Sequence, residues 1–151
     1  DILSISCLLE NGACQLHKEM LDVQDLLSEC LTSMETTIRD RQLRVSLECD
    51  VAPLETDRVQ FEKVVRNILS NAIRYAEREI RIRYDGKQLV IWDDGTLIGE
   101  ESLKHLFDRF YMGQNGNTGI GMSLTKEICE HHGWKIKAEN TPKGVQFRIS
   151  F

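Results

Sequence analysis

Asn67 and Asn71 stand one helical turn apart in FEKVVRNILSNAIRYA (61–76), and Arg74 continues their face. Asparagine is a mediocre helix residue because its amide competes for backbone hydrogen bonds. An amide oxygen can ligate a hard cation such as Mg2+, and a guanidinium can hold phosphate oxygens. Asp93-Asp94-Gly95 directly follows an apolar run, LVIW (89–92). A carboxylate at a strand end can accept a hydrogen bond from the exocyclic amine of a base. The glycine beside it lets the backbone come close to a ligand. In LFDRFY (106–111), Phe107 and Phe110 are spaced to anchor a short helix to the core, and Arg109 between them is placed for a phosphate. GNTGIG (116–121) leads into a helix-like run, where free amides and glycines make an anion site. Each pattern alone has a plainer reading: a polar helix face, an Asp-Gly turn, a packed Phe pair, a weak Gly-x-Gly. The glycine run is not a P-loop, since no Gly-Lys-Ser/Thr follows, nor a dinucleotide fingerprint, since no parallel βαβ unit precedes it.

The elements that must position these residues follow from hydrophobic spacing. Residues 14–20 read as a short strand. Val23, Leu26, Leu27, Cys30, Leu31, Met34 and Ile38 form a one-sided helix stripe. Leu43, Val45, Leu47 and Cys49 alternate with polar residues as a half-buried strand that Pro53 ends. A second helix runs from about Asp57 to Ala76, with Phe61, Val64, Val65, Ile68, Ala72 and Tyr75 on its stripe. Ile80, Ile82 and Tyr84 alternate, Asp85-Gly86 is a two-residue hairpin turn, and Leu89–Trp92 returns. Residues 93–121 are glycine-rich, with a short helix near 100–110. A third long helix starts near Gly121, and Gly133 stops it. Lys135–Ala138 and Val145–Phe151 close the chain as two strands. Three longer helices and about five strands predict a two-layer α/β sandwich. Its helices lie on one face of a mixed, mostly antiparallel five-stranded sheet.

With 151 residues, 41% hydrophobic and 28% charged, the chain has the size and composition of one globular domain. Its net charge of −5 argues against a general nucleic-acid binder, which needs surplus Lys and Arg, but leaves room for one phosphate ligand held locally. No stretch has the length and apolarity of a membrane span or a signal peptide. Cys7, Cys14, Cys30, Cys49 and Cys129 are an odd number at wide spacings and read as reduced thiols. Cys129 with His131-His132 is set aside as a metal site, because adjacent helix residues diverge and no second cluster exists. The chain opens on Asp1 rather than Met, and is expected to be a segment of something longer.

Taken in order, the four patterns resemble the catalytic, ATP-binding domain of sensor histidine kinases. That domain belongs to the superfamily shared with gyrase B, a heat-shock chaperone and the mismatch-repair ATPases. Phe61–Ala76 resembles the family's N box and IWDDG (91–95) its first glycine box. LFDRFY resembles its F box, and GNTGIGMSLTKEI (116–128) its second glycine box. The resemblance runs from about residue 14 to the C-terminus. Residues 1–10 resemble the end of an upstream dimerisation and phosphoacceptor helix with its linker, which leaves 11–151 as the catalytic domain.

The resemblance implies a Bergerat-type ATP-binding fold and ATP with Mg2+ as ligands. Asn71 would ligate the Mg2+, with Asn67 beside it. ATPase branches carry a Glu at the position of Asn67 as the base that activates water. An amide cannot take that proton, so Asn67 points to a kinase. Arg74 would lie near the phosphates, Tyr75 at the adenine border, and Asp93 on the adenine amine with Gly95 beside it. Residues from about 97 to 118 would form the ATP lid, with Arg109 its phosphate contact. Thr118, Gly119, Ile120, Gly121 and Met122 would bring the start of the last long helix to the phosphates. Two positions depart from the family pattern: Leu97 stands where a second glycine is usual, and Met112 where a basic residue is common.

The implied reaction transfers the γ-phosphoryl of ATP to a histidine, with Asn67, Asn71 and Arg109 as the catalytic set here. None of His17, His105, His131 and His132 is placed as the acceptor. The acceptor is expected in the upstream domain of the same protein, a homodimer, which then feeds a response regulator. The segment itself is expected to touch neither nucleic acid nor membrane, as the cytoplasmic part of a membrane sensor. Two other readings stay open on the residues alone. One is a degenerate, weakly binding signalling module, because of Leu97. The other is a serine kinase of the anti-sigma-factor type. ATP binding separates the first, and the sequence upstream of Asp1 the second.

Overall fold

The computed structural model describes residues 16–109 and 120–151. Residues 1–10, and with them the expected upstream helix end, lie outside the described residues. The first strand, β1 (Lys18–Leu21), leads into α1 (Val23–Ser33), whose N-cap Asp22 accepts the Asp25 N–H at 3.2 Å. The single helix expected through Ile38 is two. Ser33 Oγ donates to the Cys30 carbonyl at 2.7 Å, and Met34 ends one helix and opens α2 (Glu35–Asp40). A serine hydroxyl that competes for a backbone carbonyl is a local reason for the break. The stripe survives it, since Leu31, Met34 and Ile38 still pack against the core.

β2 (Arg44–Cys49) is followed by β3 (Leu54–Asp57), a strand that periodicity did not suggest. β3 pairs with β1 antiparallel, as a separate two-stranded sheet. The expected count of about five strands is thereby corrected to seven among the described residues. The central helix α3 (Arg58–Tyr75) starts where Asp57 Oδ1 accepts the Gln60 N–H at 3.1 Å. It buries Phe61, Val64, Val65, Ile68, Leu69, Ala72 and Ile73. β4 (Glu79–Tyr84) and β5 (Gln88–Asp93) form the expected hairpin, but its tip is Gly86-Lys87, one residue later than Asp85-Gly86. Asp85 Oδ1 accepts the Lys87 and Gln88 N–H groups, and Gly86 takes a positive φ of 86°. After α4 (Glu100–His105) come α5 (Ile120–His131), β6 (Lys135–Thr141) and β7 (Gly144–Ser150).

The main sheet has the order β2-β4-β5-β7-β6, with β2 and β4 parallel and the other pairs antiparallel. Ile80, Ile82, Tyr84, Leu89, Ile91, Val145, Phe147 and Ile149 join the residues of α1, α3 and α5 in one core. The opposite face is polar: Arg81 lies 4.7 Å over the Trp92 ring, and Arg148 pairs with Glu139. The two-layer sandwich with helices on one face of a mixed five-stranded sheet is therefore the fold observed. Among the described residues, no helix is long and apolar enough to cross a membrane.

Burial pushes the Cys30 thiol up to about 11 and the Cys129 thiol up to about 12, so both are unreactive thiols at neutral pH. No group of three His, Cys, Asp or Glu able to hold a metal occurs among the described residues. His132 is instead a structural link. Its Nδ1 lies 2.9 Å from the Ile128 carbonyl, and its Nε2 faces the Asp57 N–H at 3.3 Å and the Thr56 hydroxyl at 3.2 Å. The ring stacks on Trp134 at 4.2 Å. That arrangement fits a neutral imidazole with the proton on Nδ1, which leaves Nε2 to accept. Burial, with nearby Lys18 and His131, holds its pKa below 6.5. The unfolded chain then gains a proton before the folded one as pH falls. The stability that His132 contributes is complete above about 6.5 and lost below it. The gap in melting temperature between the protein and His132→Gln should narrow from pH 7 to pH 5. A constant gap would refute the neutral link.

Candidate functional site

Asn67, Asn71, Arg74 and Tyr75 project from α3 within about 100° of its circumference, at 100° per residue. Both asparagines are half-buried. Asn67 Nδ2 donates to the Gly121 carbonyl at 3.1 Å and to Thr125 Oγ1 at 3.2 Å, and Thr125 Oγ1 donates to the same carbonyl at 2.8 Å. This knot ties the middle of α3 to the first turn of α5. It commits the N–H groups of the Asn67 amide to protein, so Oδ1 is the end that can accept from or ligate another group. A Cβ on Gly121 would meet Asn67 only at 3.6 Å, an ordinary contact. Packing against α3 therefore does not require glycine there. Met122 beside it is nearly buried.

At the other end of α3 the chain is crowded. A Cβ on Gly95 would stand 2.2 Å from the Tyr75 carbonyl oxygen, so the segment after β5 lies directly on the last residue of the helix. Asp93, only 2% exposed, uses Oδ1 to accept the Gly95 N–H at 2.9 Å. Burial pushes its carboxyl up to about 6, against the Gly95 hydrogen bond and helped by the charge of Asp94. A carboxylate has about four acceptor positions, and Gly95 takes one. Arg74 is exposed, with its guanidinium carbon 5.8 Å from the centroid of the Tyr75 ring. The structure thus gathers Tyr75, Asp93 and Gly95 at one end and Asn67 with Gly121 at the other. About 12 Å of helix, carrying Asn71 and Arg74, separates them.

The chain leaving Gly95 is pinned by a reciprocal pair. Asn140 Oδ1 accepts the Ile98 N–H at 2.9 Å, and Asn140 Nδ2 donates to the Ile98 carbonyl at 2.8 Å. Leu97 before it is 49% exposed. Phe107 anchors the segment as expected: its ring meets Phe147 edge-on at 6.4 Å, and Lys126 Nζ lies 5.7 Å from its centroid. Arg109 is exposed at the end of this stretch. Phe110, Met112, Thr118 and Gly119 lie outside the described residues, as does the side chain of Ile120, whose backbone opens α5.

Sequence reasoning missed three residues that build the site without touching a ligand. Asn140 and Gly144 stood in the connection between the last two strands, and Thr125 within the second glycine-box stretch, none of them given a role of its own. Gly144 has no space for a side chain, since a Cβ there would fall 1.9 Å from the Asp93 carbonyl oxygen. Asp94 was part of the motif, yet its partners lie in the loop after α3 and at the start of β4.

Residues 56–151 match the family described as histidine kinase-, DNA gyrase B-, and HSP90-like ATPase. The sensor histidine kinase CssS of Bacillus subtilis (strain 168) is 31% identical over 140 residues, covering 90% of this chain and 31% of that protein. The sensor protein kinase WalK of Staphylococcus haemolyticus (strain JCSC1435) is 26% identical over 154 residues, covering 93% of this chain and 25% of WalK. The chain thus spans about a third or less of these curated relatives. The solved catalytic domain of the histidine kinase ThkA superposes with a TM-score of 0.79 at 27% identity, over 90% of this chain and 94% of that one. Acinetobacter baumannii histidine kinase AdeS superposes at 0.84 over 99% of this chain and 74% of its own, and at 24% identity it speaks for the fold alone. The family match covers well over half of the chain, and relatives that cover nine-tenths of it are sensor histidine kinases. The chain therefore belongs to the histidine kinase-, DNA gyrase B- and HSP90-like ATPases, on the sensor-kinase side of that family.

Proposed function

We propose that this domain binds ATP with Mg2+ and donates the γ-phosphoryl group to a histidine of an upstream helical domain in the same, homodimeric protein. The buried carboxylate of Asp93 carries the reading. It is an acceptor kept out of water at the end of β5, suited to the amine of adenine, with Tyr75 and Gly95 bordering it. Asn71 would hold Mg2+ through its amide oxygen, with Asn67 Oδ1 beside it. The ion, when bound, would neutralise charge on the phosphate oxygens. Arg74 and Arg109 would add guanidinium contacts, and the amides of Thr118 to Met122 would face the phosphates. Gly121 supports this, because packing on Asn67 leaves room for a side chain that the sequence does not supply.

In the reaction, the bond from the γ-phosphorus to its bridging oxygen breaks and a phosphorus–nitrogen bond to imidazole forms. ADP leaves with the electron pair, and the acceptor domain supplies the base for the imidazole proton. The chain's own part is positioning and charge neutralisation. A response regulator would take the phosphoryl group next. We place the domain on the cytoplasmic side of a membrane sensor, where ATP is found, without membrane or nucleic-acid contact of its own. The half-exposed Leu97 supports an active domain over a degenerate one, since its side chain does not displace Gly95 from Tyr75.

Calorimetry with a non-hydrolysable ATP analogue and Mg2+ tests the reading. Saturable heat below millimolar nucleotide is expected, and no heat at millimolar nucleotide would overturn it. Hydrolysis by the chain alone should stay far below about 1 s−1, the low end for kinases, because Asn67 cannot act as a base toward water.

A further inference from the structure

Asp94 takes no part in the nucleotide contacts proposed above, yet three consecutive backbone amides converge on it. Its Oδ1 accepts the N–H of Glu77 at 2.9 Å, of Arg78 at 3.0 Å and of Glu79 at 3.1 Å, and Oδ2 lies 3.2 Å from the Arg78 N–H. Its own N–H donates to the Glu79 carbonyl at 3.2 Å. Successive amides in a turn form a concave nest that binds an anion, and here the anion is a side chain. The nest is the exit of α3. On that same exit, Arg41 Nη2 donates to the Ala76 carbonyl at 2.8 Å, and Gly95 lies against the Tyr75 carbonyl. Residues 75–79 are thus held by Asp94 and Gly95 at the end of β5 and by Arg41 at the end of α2.

We propose that Asp94 is a positioning residue of the nucleotide site: its carboxylate clamps the exit of α3 to the end of β5, and so fixes Tyr75 relative to Asp93. The inference rests on the assignment of those two residues to the base under the proposed function. It also gives Asp94 an electrical effect. Its negative charge adds to the burial that raises the neighbouring Asp93 carboxyl. Burial pushes Asp94 itself upward, but the three amides outweigh it and keep the group ionised below the ordinary carboxylate range. The charged groups around the nest are Glu77, Arg78 and Glu79, with Arg41 on the Ala76 carbonyl and Arg44 opposite Glu79 on β2, and Glu79 is engaged by Arg81 at 2.7 Å.

Two variants separate geometry from charge. Asp94→Asn keeps an oxygen for the amides and removes the charge. Asp94→Ala removes both. Carbon-detected NMR titration of the Asp93 carboxyl, in the 151-residue protein without nucleotide, should give a lower midpoint in Asp94→Asn than in the original protein. An unchanged midpoint would overturn the electrical half, whether or not the domain binds ATP. Calorimetry with the ATP analogue and Mg2+ at pH 8 should show Asp94→Ala weaker by about tenfold and Asp94→Asn within about threefold. Equal binding by all three proteins would overturn the clamp. Should Asp94→Ala fail to fold, Glu77→Pro, which deletes one of the three N–H donors, takes its place and should weaken binding alike. If the original protein bound no nucleotide, the function reading would fall together with the clamp's role, while the titration would still report on the charge.

Discussion

The Asp93→Asn variant is expected to bind the ATP analogue about a hundredfold more weakly than the original protein, and yet to melt at a higher temperature above pH 6. Both effects have one cause. A carboxylate that gives up water at the end of β5 is costly to the free protein and useful to a ligand that brings a donor. A hundredfold loss corresponds to about 2.7 kcal/mol, within the range for a hydrogen bond to a charged group in a buried site. The amide oxygen of Asn can still accept the Gly95 N–H, so the local turn need not rearrange.

The stability gain has a definite pH window. The Asp93 carboxyl lies near 6 in the folded chain, against 3.8 ordinarily. Below about 3.8 both states carry the proton, and the group's contribution is fully present. Between the two values the folded chain holds a proton that the unfolded chain has lost, so stability falls as pH rises, and it is lost once pH passes 6. The variant escapes that loss. Its advantage in thermal scans should be absent at pH 4 and grow to a plateau above pH 6, on the order of 3 kcal/mol. Binding should mirror this. The original protein should lose affinity below about pH 6, as Asp93 takes up the proton, while Asp93→Asn should show no such midpoint. A variant less stable than the original at pH 7 would mean that Asp93 holds the fold rather than the ligand.

The parts of the molecule legible in the sequence are those with a period or a motif. The stripe of α3 and the alternation in β4 and β7 carry their burial in their spacing, and the observed core follows them. β3 was invisible because four residues, LETD, hold no measurable period, and its pairing with β1 spans more than thirty residues of chain. The break at Met34 was invisible because the apolar stripe runs through it. In the site, Asn67, Asp93 and Gly95 were legible as residue types that a helix face or a strand end does not need. Asn140 and Gly144 were not, because nothing local to them is unusual. Their importance lies in what the fold brings within reach, the Ile98 backbone in one case and the Asp93 carbonyl in the other.

Gly144→Ala is accordingly expected to cost the fold about 3 kcal/mol, a drop in melting temperature of roughly 8 °C for a domain of this size. Gly144 opens β7 opposite Thr141, and Val145 beside it is the register partner of Asp93. Its added Cβ would stand 1.9 Å from the Asp93 carbonyl oxygen, 2.9 Å from the carbonyl carbon and 3.0 Å from Asp94 Cα. All three are backbone atoms, which cannot swing aside as the end of a side chain can. Either β5 and β7 part at this point or the end of β5 moves, and the end of β5 carries Asp93 and Asp94. Gly133 supplies the control. Its φ of 79° makes alanine strained by about 1 kcal/mol, but no atom lies within 4 Å of its Cβ position. Gly133→Ala should therefore lower the melting temperature modestly and leave nucleotide affinity unchanged. Gly144→Ala, assayed at a temperature where it is fully folded, should bind the ATP analogue about tenfold more weakly, because the added atom pushes on the residue assigned to the base. If Gly144→Ala lost stability and kept its affinity, the displacement would have been absorbed by the β6–β7 hairpin, and β7 would have no part in setting the position of Asp93.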